Sequence, residues 1–153
     1  FKDPRTCLTY DYWKRILPRH KLICIYRHPS EVVRHYGRWD KIVGIPYAIF
    51  SALKSLECWE VYNKELLKII SQHERFDFIV FRYDYLMTCN SEIHRLEKFI
   101  GKKICDCRDV KKYRFKTKVS IQFILAWLYY LIIYRKNPLR LFSRLEKMRI
   151  DSI

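Results

Sequence analysis

The stretch Lys21-Leu22-Ile23-Cys24-Ile25-Tyr26-Arg27-His28-Pro29-Ser30 decides the fold of this chain. Its first six residues form a short, nearly unbroken apolar run rich in β-branched side chains, the pattern of a strand buried on both faces. Pro29 and Ser30 suit the opening of a helix, and Glu31-Val32-Val33-Arg34-His35-Tyr36 continue it up to Gly37. The segment therefore reads as strand, tight turn and helix. Arg27 stands where the strand ends and the helix begins. There the helix dipole, the exposed backbone N–H groups and a guanidinium fork all favour an anion such as a phosphate. The alternative is an ion pair between Arg27 and a carboxylate, with Glu31 and Asp84 as the candidates.

Outward from this unit, no Pro or Gly follows Pro46 until after Gln72, and apolar residues recur at Ile49, Leu53, Leu56, Val61, Leu66, Leu67 and Ile70. That spacing predicts one long helix or two collinear ones. Phe78-Ile79-Val80-Phe81-Arg82-Tyr83 predicts a second strand. Asn90-Ser91-Glu92 then reads as a helix cap with an acidic first turn, and Gly101 as the helix end. Strands alternating with helices predict an α/β unit around a parallel sheet.

Composition narrows the chemistry. The 153 residues allow one domain with a real core, and half of them are hydrophobic, which excludes disorder as the main state. Against 16 acidic side chains stand 31 Lys and Arg, a net charge of +15 that points to an anionic partner: nucleotide, nucleic acid or acidic lipid. With only three Gly residues, the chain holds no glycine-rich phosphate cradle. The six Cys lack Cys-x-x-Cys spacing, so reduced thiols and no metal site are expected, with Cys24 packing as a small hydrophobe. Cys105-Asp106-Cys107 would bind a metal only if distant ligands joined it. No cationic-then-apolar leader opens the sequence. It starts Phe1-Lys2-Asp3 without a Met, and a truncated amino terminus in a cytoplasmic chain is the expectation.

Three segments occur in order: Lys2-Asp3-Pro4-Arg5, then Arg27-His28-Pro29-Ser30-Glu31-Val32 behind its apolar strand, then Phe81-Arg82-Tyr83-Asp84-Tyr85-Leu86. Between and after them stand Leu17-Pro18, Trp59 with Tyr62-Asn63, and Leu96-Glu97-Lys98-Phe99-Ile100-Gly101. From about Lys2 to Arg114 the set resembles the sulfotransferase family, closest to its bacterial type. Members of that family move a sulfuryl group from 3′-phosphoadenosine 5′-phosphosulfate to a hydroxyl or amine. The resemblance implies a partial P-loop-like parallel sheet flanked by helices over residues 1–116. It implies the phosphosulfate donor as co-substrate, no metal, and a hydroxyl or amine acceptor, carbohydrate included.

Residue by residue, the resemblance makes Arg27 the ligand of the donor's 3′-phosphate. His35 falls where the family most often has a Ser binding the same phosphate; an imidazole there can still donate a hydrogen bond, or the residue is a helix position with no ligand. Tyr83 matches the Tyr whose ring lies near the adenine, with Asp84 in the acidic position after it. The other reading makes Tyr83 a core residue of an aromatic strand. Lys2 and Asp3 match the segment that serves the acceptor side. Asp3 would act as the base or orient one, and Lys2 or Arg5 would steady the sulfuryl oxygens, by the positioning and electrostatic logic of phosphoryl transfer. Against this stands a salt-bridged turn around Pro4.

The family's first strand and the loop that cradles the 5′-phosphosulfate would precede Lys2. The chain is therefore expected to be a piece of a longer enzyme or a descendant that lost the loop, and catalytically incomplete alone. Beyond Arg114 the resemblance fades into a helical basic extension over 117–153. The uncharged run Val119 to Tyr134 is short of the roughly 20 residues a spanning helix needs, so it packs on the core or lies on a membrane surface. The tail from Leu139 to Ile153 could lie on anionic lipid, on an acidic partner or on the protein surface. Two other functions stay open: a non-catalytic interaction or membrane-surface protein, and a nucleic-acid binder. The latter lacks any helix-turn-helix, zinc-finger or ribonucleoprotein motif, so no specific nucleic acid is expected.

Overall fold

Two apolar runs far apart in the chain pair side by side in the computed structural model, which describes residues 4–17, 19–36, 45–110 and 119–152. Strand β1 (Leu22–Tyr26) and strand β2 (Phe78–Arg82) form a two-stranded parallel sheet, in register from Leu22↔Phe78 to Tyr26↔Arg82. Parallel strands need a crossover. Helices α2 (Pro29–Tyr36) and α3 (Ile45–Ile70) lie along it, and α3 is a single helix of 26 residues. A 3-10 helix (Pro4–Leu8) and helix α1 (Tyr10–Ile16) precede β1. Helices α4 (Tyr83–Thr88), α5 (Asn90–Ile100), α6 (Ile121–Ile132) and α7 (Pro138–Asp151) follow β2. The chain is thus mixed helix and strand, mostly helical, with a small parallel sheet.

Local chemistry sets the boundaries. Strand β2 stops one residue before the predicted end because Arg82 turns the chain: its Nε and Nη2 donate to both carboxylate oxygens of Asp84, at 2.6 and 2.7 Å, and Tyr83 opens α4. Gly101 closes α5 as expected, with φ of +77° in the left-handed region that glycine adopts freely. Asn90 is not the cap. It is the first residue of α5, behind Cys89, and its Oδ1 accepts from Arg108 Nη2 at 2.8 Å. Side-chain caps do start α6, where Ser120 Oγ accepts from Phe123 N, and α7, where Asn137 Oδ1 accepts from Leu139 N ahead of Pro138 in the first turn.

One face of the sheet is core. Cys24, Tyr26, Phe78 and Val80 bury against Trp59, Leu67 and Ile70 of α3 and Leu141 and Leu145 of α7. On the other face Ile79 and Phe81 are buried, with α5 against β2 and Arg95 over the Phe81 ring. Ile23 and Ile25, their partners in register, remain 48% and 44% exposed. The expectation of a first strand buried on both faces is therefore corrected: β1 alternates exposed and buried residues because, among the described residues, only one of its faces carries helices.

A second cluster joins α2, α3 and α6 through Val33, Ala52, Leu56, Phe123, Ala126 and Tyr130. Tyr130 Oη donates to Glu60 Oε2 at 2.7 Å. Burial works to raise the Glu60 carboxyl, but hydrogen bonds from Lys64 and Tyr130 overcome it, and its pKa is lowered. Helix α6 is therefore seated on the core by one side only. Its residues Ile121, Ile124, Leu125, Leu128 and Ile132, spaced as one helical stripe, are exposed. Among the described residues no helix is long and apolar enough to cross a membrane.

Helix α7 is part of the domain's core. Beside Leu141 and Leu145, Glu146 accepts from Tyr26 Oη at 2.7 Å, from Arg82 Nη1 at 3.1 Å and from Arg149 Nε at 3.2 Å. Arg149 also reaches Glu92 of α5 at 3.3 Å, and Glu92 pairs with Arg95. Ser152 Oγ accepts the Val80 N–H at 3.1 Å, on the edge of β2 away from β1. Residues 138–152 thus pack on the sheet and on α5, with Arg149 paired and not solvated.

Candidate functional site

Because Tyr26 and Arg82 are partners in register, the residues that follow them emerge side by side at the carboxyl ends of the strands. The Arg27 guanidinium carbon lies 3.8 Å from the centre of the Tyr83 ring, a stacked cation–π contact. Trp59 Nε1 donates to the Arg27 carbonyl at 2.9 Å and fixes the strand end against α3. Stacking occupies the flat face of a guanidinium. Its N–H groups lie in the plane, so the fork keeps its edges for a carboxylate or phosphate.

The competing ion-pair reading divides into two. Asp84 is held by Arg82, whose own guanidinium lies 3.6 Å from the Tyr85 ring centre. Glu31, in the first turn of α2, has its carboxyl raised by burial and by Asp84, while the charges of Arg27, Arg34 and Arg82 work the other way. Arg27 thus acts on Glu31 through its field. In the sequence Glu31 stands out only as a possible partner of Arg27; in the fold it is a half-buried carboxyl in the field of three arginines.

The helix start behaves differently from expectation. Pro29 has no N–H; Ser30 N donates to His28 Nδ1 at 3.2 Å, and Glu31 N and Val32 N donate to the His28 carbonyl at 3.0 and 3.4 Å. The first backbone donors of α2 are therefore closed onto His28 rather than aimed outward. Burial, aided by the Arg82 charge, lowers the His28 pKa, consistent with a neutral ring whose Nδ1 accepts. Any anion at this end of the sheet depends on the Arg27 side chain, not on the helix terminus.

The remaining candidates are dispersed. His35 is exposed on the last turn of α2, about 9 Å along the axis from Pro29 at 1.5 Å per residue. Tyr83 is half-buried beneath Arg27, while the core role of the aromatic strand falls to Phe78 and Phe81. Arg5 is exposed on the 3-10 helix. That helix lies against α3, and its Cys7 feels the charge of Glu65 near the far end of α3. Lys2 and Asp3 lie outside the described residues. Glu146, missed in the sequence, reaches the site from α7 through Arg82. No local spacing announces it, since the contact joins residues 64 positions apart.

All six cysteines are unbridged, and burial pushes the Cys24 thiol up to about 12, as suits a packed, inert side chain. Among the described residues, no three His, Cys, Asp or Glu side chains cluster to hold a metal. Comparison with protein-family models, with curated proteins and with solved structures gave no match.

Proposed function

We propose that the chain serves sulfuryl transfer, holding the nucleotide end of 3′-phosphoadenosine 5′-phosphosulfate at the carboxyl ends of a P-loop-like parallel sheet, with a hydroxyl or amine as acceptor. The observation that carries this reading is Arg27 stacked on Tyr83, while Asp84 is engaged by Arg82. A guanidinium held flat by an aromatic ring has lost little freedom still to be lost on binding. It presents paired donors to a phosphate. Glu146 fixes Arg82, and Arg82 fixes Asp84, so the acidic position after Tyr83 is set by the core and not by the ligand.

The test is calorimetry of the chain with 3′-phosphoadenosine 5′-phosphate and with 5′-AMP. The two differ by the phosphate assigned to Arg27, and a charge-assisted contact of this kind is worth on the order of 1.5–3 kcal/mol. A preference of about tenfold or more for the bisphosphate is expected. Equal affinities would overturn the assignment.

The exposed apolar stripe of α6 favours a second reading, peripheral contact with an anionic membrane. Arg135 and Lys136, both exposed, stand three and four residues beyond the helix end, and the chain carries +15. An apolar face ended by cations suits a helix lying in the headgroup region. Co-sedimentation with phosphatidylserine vesicles is expected, weaker on phosphatidylcholine alone and lost in Leu128→Asp. A Leu128→Asp chain that sediments like the wild type would remove this reading.

A further inference from the structure

At the opposite end of the sheet, ahead of both strands, three side chains from separate segments converge. Tyr10 of α1 is buried, only 4% exposed, and its hydroxyl lies 2.7 Å from His20 Nε2 and 2.6 Å from His73 Nε2. Each imidazole turns its other nitrogen to a backbone carbonyl: His20 Nδ1 to Leu17 O, and His73 Nδ1 to Ile69 O at 2.9 Å. A carbonyl oxygen only accepts, so each Nδ1 carries a hydrogen and Nε2 is the nitrogen that each ring turns to the phenol. Two ring nitrogens thus face one phenol, whose single O–H can be donated to only one of them. The other nitrogen and the phenol oxygen meet favourably only through a positive centre between them.

We propose that Tyr10, His20 and His73 form a binding site for a borderline divalent cation, Cu²⁺ most tightly and Zn²⁺ less so. The second shell is already in place. Ligating histidines characteristically donate their remaining N–H to a carbonyl or carboxylate, which fixes the tautomer and aims the free nitrogen at the metal. Both rings here are held that way. Imidazole suits zinc and copper, and the Irving–Williams order places copper above zinc. With metal–ligand bonds of about 2.0–2.1 Å, neighbouring ligand atoms sit about 2.9 Å apart in the tetragonal geometry that copper prefers and about 3.3 Å apart in the tetrahedral geometry of zinc. The rings would therefore draw back from the phenol by about 0.2 Å for copper and about 0.6 Å for zinc.

There is room for that movement. His20 and His73 line a cavity of about 610 Å³ that also carries Glu74 and Asp77, so the metal can enter from solvent past two carboxylates. Lys14, Arg19 and Lys21 stand on the same rim and oppose a cation, which limits the site to an ion that bonds nitrogen strongly. Alkali and alkaline-earth ions are thereby disfavoured. The phenol enters as a ligand when the metal displaces its proton to solvent. No motif announces the site because its ligands come from α1, from the approach to β1 and from the turn after α3.

The experiment is a titration of the full chain with Cu²⁺ and Zn²⁺ after alkylation of its accessible thiols, so that the exposed Cys58, Cys105 and Cys107 do not compete. One Cu²⁺ per chain is expected, with nitrogen hyperfine coupling from two imidazoles and a visible phenolate-to-copper absorption. His20→Ala with His73→Ala should weaken binding by at least about 100-fold. Tyr10→Phe preserves the packing and decides the matter even where the histidine variants fold poorly. It should keep the two-nitrogen signal and lose the visible band. Absence of saturable one-site binding, undiminished affinity in a folded double-histidine variant, or an unchanged spectrum in Tyr10→Phe would each overturn the proposal.

Discussion

Cutting the chain after Asn137 is expected to abolish cooperative unfolding, and Leu145→Ala alone to cost about 2–5 kcal/mol. Leu145 is fully buried in the cluster that covers the sheet, and Leu141 beside it is nearly so. Removing α7 would uncover Cys24, Tyr26, Phe78 and Val80. It would also take away the Glu146 carboxylate from Tyr26 and Arg82, the Arg149 guanidinium from Glu92, and the Ser152 hydroxyl from the Val80 N–H. A domain of this size commonly has a net stability of about 5–15 kcal/mol, which these losses together exceed or match. Chemical denaturation followed by circular dichroism checks it. A truncated chain with a sharp transition near that of the parent would show α7 to be an ornament on an independent core.

Arg27→Ala is expected to lower affinity for 3′-phosphoadenosine 5′-phosphate by about 10- to 150-fold and to leave affinity for 5′-AMP nearly unchanged. Arg27→Lys should fall between. A lysine restores the charge but neither stacks flat on Tyr83 nor presents a planar fork, so it would recover part of the phosphate contact and little of its preorganisation. Stability should change little in either variant, because the Arg27 group fastened to the core is its carbonyl, held by Trp59. Equal losses for the two nucleotides would mean that Arg27 supports the ring of Tyr83 and not the phosphate.

Much of the framework was legible in residue patterns, and the exceptions have physical causes. The strands, the crossover helices and the left-handed Gly101 follow from β-branched runs, helical spacing and a turn residue, all local signals. Helix α1 was not anticipated, since Tyr10 is its one buried residue and its outward face offers Tyr12 and Ile16. The exposure of Ile23 and Ile25 could not be read from an apolar run, because the run says nothing about how many helices the sheet attracts. At the candidate site, Arg27 was visible as the residue after the first strand and Tyr83 only as the last residue of the second. The closure of the α2 donors onto His28 was not, because it depends on a ring orientation that sequence does not encode in spacing. Glu146 belongs to the same class, a partner chosen by tertiary packing across most of the chain.

The bond from Val80 to Ser152 also bears on how the protein is made. A ribosome delivers β1 and β2 long before it delivers residues 138–152, yet the covered face of that sheet and the outer edge of β2 are completed by those later residues. Until they emerge, the nascent strands carry an uncovered apolar surface, and productive closure must wait for α7. Translation therefore imposes a delay during which the half-made sheet is open to mispairing or to capture by a chaperone. The speed of synthesis through α7 sets how long that window stays open.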